Sequence, residues 1–506
     1  MGILESLAHP VERQLVDAAA RLEVLLEAEA LRELSLYPNA MDALESAVFV
    51  AKERGLFVIT HAIAADVLSS RQSELKTLPV VVEQASKKVP AKDLDVKLRI
   101  FSDREVTEKS RCTGKLEDFV DHFRNRFDQM KVLLRSRPSE HPLMDSLSKV
   151  KSQGERSKVR LIAMVIDKRE TKNGHLLIEV EDEKSSLLCL VSKNSPLQVT
   201  AKTVLLDEVI GFEGFLSKDL FIVENILWPD LPFREKKLGT QDGYIAFLSD
   251  LHIGSKYFLQ EKFHKFLQFL NGNGSESERE LSGKIKYLLI AGDLVDGVGV
   301  YPSQEKQLVT KDIYEQYAAF KEFMLSVPEH IHCIIAPGNH DAVRTAEPQP
   351  KLPSEFTQGL ESYDNMHFVG NPSWFEVDGL RALMYHGTSM DSLISALNLK
   401  EGYSHPEKTA IELLKRRHLA PSYGDKTLVP EKVDYMVMHS EPDILHFGHV
   451  HKNGYAEYRG CFVVNSGTWQ DTTDYQKRLG HIPTPCQLPL YHLSTGSLQV
   501  LNFKGA

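Results

Sequence analysis

Five times in the second half of this chain, a short apolar run stops at a turn and a metal-ligand side chain stands at the stop. IAFLS leads into Asp250 and His252 of SDLHIGS, YLLIAG into Asp293 of AGDLVDG, and CIIAPG into Asn339 of PGNHD. LMY precedes His386 of MYHGT, and ILHFG precedes His449 and His451 of FGHVH. A short apolar run bounded by turn signals reads as a buried strand. Side chains at the ends of several such strands converge on one edge of a sheet, where α/β folds place their sites. The pattern therefore constrains this half of the chain to a sheet-centred fold with a polar centre along one edge.

The residue types suit two metal ions. Carboxylate, amide and imidazole ligands without thiolate favour Mn²⁺ first, with Fe²⁺ or Zn²⁺ as alternatives, over Ca²⁺ or the all-oxygen shell of Mg²⁺. Two ions roughly 3.5–4 Å apart need a bridging carboxylate. Asp293 is the natural bridge, because the other ligands divide around it. Any one of these fragments is ordinary by itself; the series of five is not.

The series D-x-H, G-D, G-N-H-D, H-G and G-H-x-H resembles the calcineurin-like metallophosphoesterase superfamily. That resemblance implies a two-sheet β-sandwich flanked by helices. It assigns Asp250, His252, Asp293 and His451 to one metal, and Asp293, Asn339, His386 and His449 to the other. His340 matches the histidine beside the scissile phosphate that assists the leaving group, and Asp341 the carboxylate that orients it. Gly297 stands where protein phosphatases of this fold carry a monoester-gripping arginine, which favours a phosphodiester. The longer strings GDLVDGVGVYPSQE, PGNHDAVRTAEPQP, KRRHLAPSYG and NSGTWQDTTDYQK resemble the small subunits of archaeal family-D DNA polymerases, over roughly residues 90 to 506. The related eukaryotic B-subunits have lost these ligands, whereas this chain keeps every one. The resemblance implies a 3′→5′ exonuclease that proofreads beside a large catalytic subunit, with DNA as substrate.

Charge fits one member of a larger assembly better than a free-standing DNA binder. The net charge is −10, and proteins that grip duplex DNA alone tend to be basic. Metals would be the strongest local positive charges, and a partner would supply most of the DNA grip. At 506 residues the chain implies about three domains. No apolar run is long enough to span a membrane. The start MGILESLAHPVERQ lacks a signal-peptide pattern; its formal myristoylation match is better explained by an amphipathic helix. Five scattered cysteines without C-x-x-C fit a reducing cytoplasm.

The domain reading is a helical N-terminal domain over 1–70, a linker and helix over 71–154, an OB-like barrel over 155–232, and the phosphoesterase domain over 243–506. Val11, Leu15, Ala18, Leu22, Leu25 and Leu26 predict one helical face, and a second helix is expected from Asn39 to Arg54. Phe119, Phe123, Phe127, Met130 and Leu134 predict a packing stripe, with Arg124, Arg126, Lys131, Arg135 and Arg137 solvated. Five β-rich segments with an Asn173–Gly174 turn predict the barrel, with few aromatics or cations beyond Lys158, Arg160, Lys168, Arg169 and Lys172, so it is expected to dock a protein. NGNGSESERELSG is expected to be a mobile loop. The cluster Lys415, Arg416, Arg417 and His418, lying between two ligand-bearing loops, is the candidate for substrate contact. The first 140 or so residues are expected to be dispensable for the hydrolytic fold. Two other classes stay open: a non-catalytic polymerase scaffold and a stand-alone nucleotide phosphodiesterase.

Overall fold

The computed structural model describes residues 10–22, 24–35, 40–67, 89–152, 156–424 and 428–505. Two compact units comprise residues 1–87 and 88–506. The formal myristoylation pattern and the expected linker residues up to 88 lie outside the described residues.

In the first unit, helices Pro10–Arg21, Ala28–Ser35 and Ala40–Glu53 and a helix over 61–67 surround a small core that includes Leu15, Leu34, Leu44, Ala47 and Ile59. The predicted helical face does not continue to Leu26. The first helix ends at Arg21, and Leu25–Leu26 pairs in parallel with Val58–Ile59. Local periodicity cannot anticipate a partner so far along the chain. The helix Ala28–Ser35 was not anticipated either.

The second unit opens with a strand, Leu98–Ile100, and a long helix, Leu116–Arg135. A closed five-stranded barrel follows: Lys158–Glu170, Leu176–Glu181, Ser186–Val191, Val209–Ser217 and Leu220–Leu227. In its first strand, Val159, Leu161, Ala163 and Val165 alternate into the barrel core. The intervening Ile162 and Met164 meet Phe127, Met130 and Leu134 of the long helix, so both faces of this strand are buried.

Two six-stranded sheets form the rest. One runs Met366–Phe368, His332–Ala336, Ile285–Ala291, Tyr244–Leu248, Gln487–His492, Leu498–Asn502 in spatial order. The other runs Asn453–Tyr458, Cys461–Ser466, Ile444–Phe447, Leu380–Met384, Ser373–Val377, Leu98–Ile100. Their inner faces pack together. Ile245, Phe247, Tyr287, Leu289 and Ala291 of the first sheet meet Phe375, Ala382, Met384, Ile444 and Val464 of the second. The alternate residues Ala246, Leu248, Leu288 and Ile290 face outward onto Phe263, Phe266, Tyr317 and Phe320 of the flanking helices. Trp374, Leu383, Leu445 and Val463 turn to the other side, where Ala410, Leu413 and Leu414 cover them. A two-residue side-chain period with both faces apolar therefore builds four layers: helix, sheet, sheet, helix.

Three expectations are corrected here. Leu98–Ile100 pairs antiparallel with Ser373–Val377, so this stretch is a sheet edge and its removal would strip a strand. The first 140 residues are therefore not dispensable for this fold. Arg126 is not solvated: it lies buried in the long helix with its Nε 2.7 Å from Asp434 and its NH1 donating to the Pro421 carbonyl at 3.1 Å. The Gly/Ser/Glu-rich insert holds a helix, Glu276–Ser282, started by a capping box between Ser275 and Glu278. The S-x-x-E signal was present in the insert; the glycines and serines around it obscured it.

Candidate metal centre

All seven ligand-type side chains follow strands of the two inner sheets. Tyr244–Leu248, Ile285–Ala291 and His332–Ala336 run parallel, and so do Leu380–Met384 and Ile444–Phe447. Their carboxyl ends thus deliver Asp250, His252, Asp293, Asn339, His386, His449 and His451 along one edge. The sheets are tied together there: Asp250 Oδ2 accepts the His449 N–H at 2.9 Å, and the Asp250 carbonyl accepts the Trp469 N–H at 3.0 Å.

The backbone at these positions is strained. Asp250, His252, Asp293, His449 and His451 have φ of 52°, 52°, 51°, 68° and 56°. Non-glycine residues rarely adopt this left-handed region, which costs about 1–3 kcal/mol each and clusters at functional sites. Close approach explains two neighbouring glycines. A Cβ on Gly338 would collide with the Asp293 carboxylate, and one on Gly448 with the Asp250 carboxylate.

The side chains turn their donor atoms toward each other. Asp293 Oδ2 lies 3.6 Å from His252 Nε2 and 3.4 Å from His386 Nε2. Asp250 Oδ1 lies 3.2 Å from His451 Nε2 and 3.9 Å from His252 Nε2. Asn339 Oδ1 stands 3.0 Å from His386 Nε2, and the Nε2 atoms of His252 and His451 face each other at 3.0 Å. Asp250, His252 and His451 form one compact group, Asp250, Asp293 and His386 a second, and His252, Asp293 and His340 a third.

This geometry fits metal ions. Ligand atoms about 2.0–2.2 Å from one ion stand roughly 3–3.5 Å from each other. Two imidazole nitrogens pointed at one another between buried carboxylates need a shared cation or proton. The remote ring nitrogens are already held: His252 Nδ1 by Asp296 Oδ1 at 3.1 Å, His386 Nδ1 by the Ala291 carbonyl at 2.8 Å, and His451 Nδ1 by Gln476 Nε2 at 2.8 Å. An acceptor on Nδ1 fixes the His252 and His386 rings with Nε2 bare for a metal, whereas the Gln476 amide donates to His451 Nδ1 and so places the neutral ring's proton on Nε2. His449 is arranged the other way. Its Nε2 lies 3.0 Å from Asp391 Oδ2, so only Nδ1 would remain to it for a metal, and it stands in none of the three compact groups.

Charge and burial oppose each other throughout. Burial would raise the Asp293 carboxyl, but His386, His340 and His252 hold it well below the usual carboxylate range. Asp250 is lowered too, against burial, mainly by His451. Burial works against charge on His386, yet Asp293 and Asp250 lift it to about 10. His252 is lifted to about 9 against burial, by the Asp296 hydrogen bond and then Asp293.

His340 and Asp341 stand differently. His340 donates through Nδ1 to the Asp296 carbonyl at 2.7 Å, which makes Nε2 its remaining ring nitrogen. Burial lowers its pKa, which keeps it neutral at neutral pH. Asp341 does not orient it. Its carboxylate accepts N–H groups from Gly338 at 2.8 Å and Leu294 at 3.2 Å and the Tyr317 hydroxyl at 3.0 Å, which pins the PGNHD turn to the AGDLVDG loop. Burial and then Asp293 push Asp341 up to about 7.

Three of the four residues in the basic cluster, Arg416, Arg417 and His418, are buried and so not placed for substrate contact. Arg416 is buried with Nε 2.6 Å from Glu208 of the barrel region, and its NH2 donates to the Thr203 carbonyl at 2.8 Å. Arg417 is buried against Glu441 at 2.9 Å, and His418 against Asp434 at 2.9 Å. Lys415 pairs with Glu412 at 2.6 Å. Arg416 anchors the helix Pro406–Arg416 to the barrel region and Arg417 holds the turn after it to Glu441, because a buried charge needs an opposite partner.

Sequence reasoning missed Asp296, Asp391 and Gln476, which hold three of the histidines. Asp296 had a signal, being the second aspartate of GDLVD; Asp391 and Gln476 had none, since each reaches its histidine from a distant helix.

The family of B subunits of DNA polymerases alpha and epsilon matches residues 245–454. The DNA polymerase II small subunit of Methanocaldococcus jannaschii is 45% identical over 411 residues, 80% of this chain and 68% of that one. The same-named protein of Methanothermobacter thermautotrophicus is 39% identical over 82% of this chain and 84% of its own. A solved archaeal phosphodiesterase overlaps 51% of this chain and 98% of its own at 13% identity, but its TM-score of 0.26 is too low to bear on the argument. No described helix is long and apolar enough to cross a membrane. With this identity over this length, and with the ligand series carried at the carboxyl ends of strands from both sheets, the chain belongs to the family of DNA polymerase II small subunits.

Proposed function

We propose that this chain is the proofreading subunit of a two-subunit replicative DNA polymerase, a 3′→5′ exonuclease that works alongside a large catalytic subunit. The observation that carries the reading is the position of Asp293. One of its oxygens stands within 3.6 Å of His252 Nε2 and 3.4 Å of His386 Nε2, two rings that belong to different halves of the ligand set. A carboxylate so shared suits the bridge of a two-metal hydrolase. Asp250, His252 and His451 would complete one site; Asn339, His386 and His449 would complete the other. The donor set favours Mn²⁺, with Fe²⁺ or Zn²⁺ next.

When bound, two such ions supply Lewis acidity: they make water acidic enough to attack near neutral pH and offset phosphate charge. His340 acts at the leaving oxygen. Its Nδ1 is fixed on the Asp296 carbonyl, and a phosphodiester anion near Nε2 favours the imidazolium, which can then pass a proton to the departing 3′-oxygen. Asp296 orients two histidines at once, His252 through its carboxylate and His340 through its carbonyl. Gly297, at φ 75°, leaves no side chain where a monoester clamp would stand, which supports a diester substrate.

We read the five-stranded barrel as OB-like and, with the outer face of the phosphoesterase region, as the docking surface for the large subunit. The test is a single-stranded oligonucleotide labelled at its 5′ end, incubated with Mn²⁺ and the full chain, alone and with the large subunit. Stepwise shortening from the 3′ end is expected. No release of 5′-nucleotides in either case would reduce the chain to a scaffold.

A further inference from the structure

Two elements far apart in sequence bring an aromatic pair beside the FGHVH histidines. The Tyr403 and His481 rings lie 4.3 Å apart between centroids, tilted by 34°. Each is tied to one of those histidines through a residue that holds it. The Tyr403 hydroxyl donates to Asp391 Oδ1 at 3.1 Å, and the other Asp391 oxygen receives His449 Nε2 at 3.0 Å. The His481 N–H donates to the Gln476 carbonyl at 3.0 Å, and the Gln476 amide holds His451 Nδ1 at 2.8 Å. The Thr484 N–H reaches the His451 carbonyl at 2.9 Å, which fixes the chain beyond His481 to the same loop.

The surroundings match a nucleic-acid path. Ile482, next to His481, is 77% exposed, and Lys452, next to His451, sets its ammonium 3.3 Å from the Ile482 carbonyl. Lys477, paired with Asp474 at 3.3 Å, and Arg478 are exposed on the neighbouring short helix Asp474–Leu479. A chain of net charge −10 thus gathers cations and rings beside its ligand cluster. Aromatic faces with interleaved cations are how proteins hold single strands without reading sequence.

We propose that Tyr403 and His481 form a stacking platform for the nucleobase of the nucleotide adjoining the scissile phosphodiester. This deepens the exonuclease reading and rests on it. A stacked base would fix the sugar, and hence the phosphate, relative to the ligand cluster, while Lys452 would offset the next phosphate of the strand. The platform should accept any of the four bases, because each has a π-face.

The experiment uses the full chain in chelator, so that no hydrolysis competes, and a single-stranded oligonucleotide ending in 2-aminopurine. Stacking quenches that base. Wild type is expected to quench it on binding, and Tyr403→Phe to do the same. Tyr403→Leu and His481→Leu are expected to lose the quench and weaken binding by roughly five- to a hundredfold. An oligonucleotide with an abasic 3′ end should bind wild type and Tyr403→Leu alike. Equal quenching and affinity in wild type and both leucine variants would overturn the platform. Quenching by wild type without any hydrolysis in Mn²⁺ would support the platform and refute the nuclease reading instead. Hydrolysis of a base-free diester with no oligonucleotide binding would overturn the platform and leave the phosphodiesterase reading standing.

Discussion

Asp296 Oδ1 lies 3.1 Å from His252 Nδ1, on the side of the ring turned away from Asp293. The carboxylate is itself held by Gln470 and Gln304, each at 3.0 Å. A ring gripped on its far nitrogen presents the near one in a fixed direction. Asp296→Asn is therefore expected to lower metal affinity about 10–100-fold without unfolding the chain. Chelator competition measures this, and affinity equal to wild type would remove Asp296 from the site.

The two metal positions should respond differently to loss of the shared and the unshared ligand. Asp293→Ala is expected to lose both ions, because its carboxylate faces both halves of the ligand set. Asn339→Ala, whose Oδ1 stands 3.0 Å from His386 Nε2, is expected to keep one ion. Metal content by mass spectrometry reads both. Two ions retained in Asp293→Ala would sink the bridging role.

His340→Ala should separate rate from metal. The ring is fixed through Nδ1 on the Asp296 carbonyl, and it stands within 4.8 Å of the His252 and Asp293 donor atoms. Loss of a general acid typically costs about 10²–10⁴-fold in rate. Metal content is expected to stay at the wild-type level, and a variant that loses metal instead would make His340 a ligand.

Arg416→Ala should destabilise the fold, and Lys415→Ala should not. Removing Arg416 leaves Glu208 buried without its cation, which costs about 3–5 kcal/mol. Lys415 is 40% exposed at its side chain and pairs within its own helix, so its loss should stay within about 0.5 kcal/mol. Denaturant titration decides. An Arg416→Ala chain that unfolds like wild type but loses DNA affinity would restore the substrate-contact role.

Acid should weaken the fold through His446. Burial holds this ring down to about 3, with Asp250 working the other way, and its Nε2 is 3.0 Å from Ser466 Oγ. An unfolded histidine takes up its proton near pH 6.5 while the folded one stays neutral to about pH 3. Stability is thus fully present above pH 6.5 and falls as pH drops, by about 1.4 kcal/mol per unit, or about 2 kcal/mol at pH 5. His446→Leu should flatten the melting temperature between pH 7 and 5; an unchanged slope would show that other groups set it.

The legible parts of this protein are those written locally. Alternation along Val159–Val165 gives the barrel strand, and the apolar runs before Asp250, Asp293 and Asn339 give the parallel core strands, because side-chain period and turn residues act over a few positions. The placement of the seven candidate ligands was legible for the same reason: they follow the ends of five strands, two of which carry a pair. Asp341 was misread because adjacency to His340 in sequence is not adjacency in space; its carboxylate turns to Gly338, Leu294 and Tyr317. Arg126 was misread as solvated and Arg416 as a candidate for substrate contact because their partners, Asp434 and Glu208, lie far along the chain.

Sequence by itself determined which atoms this protein can offer a metal, since residue type and strand-end position are local properties. Tertiary structure decided which nitrogen each histidine presents, which carboxylates hold the rings, and that Leu98–Ile100 closes a sheet edge. Those outcomes depend on hydrogen bonds and strand pairings between segments distant in sequence. Their directions are set by packing two sheets against each other, and no one-dimensional pattern carries that information.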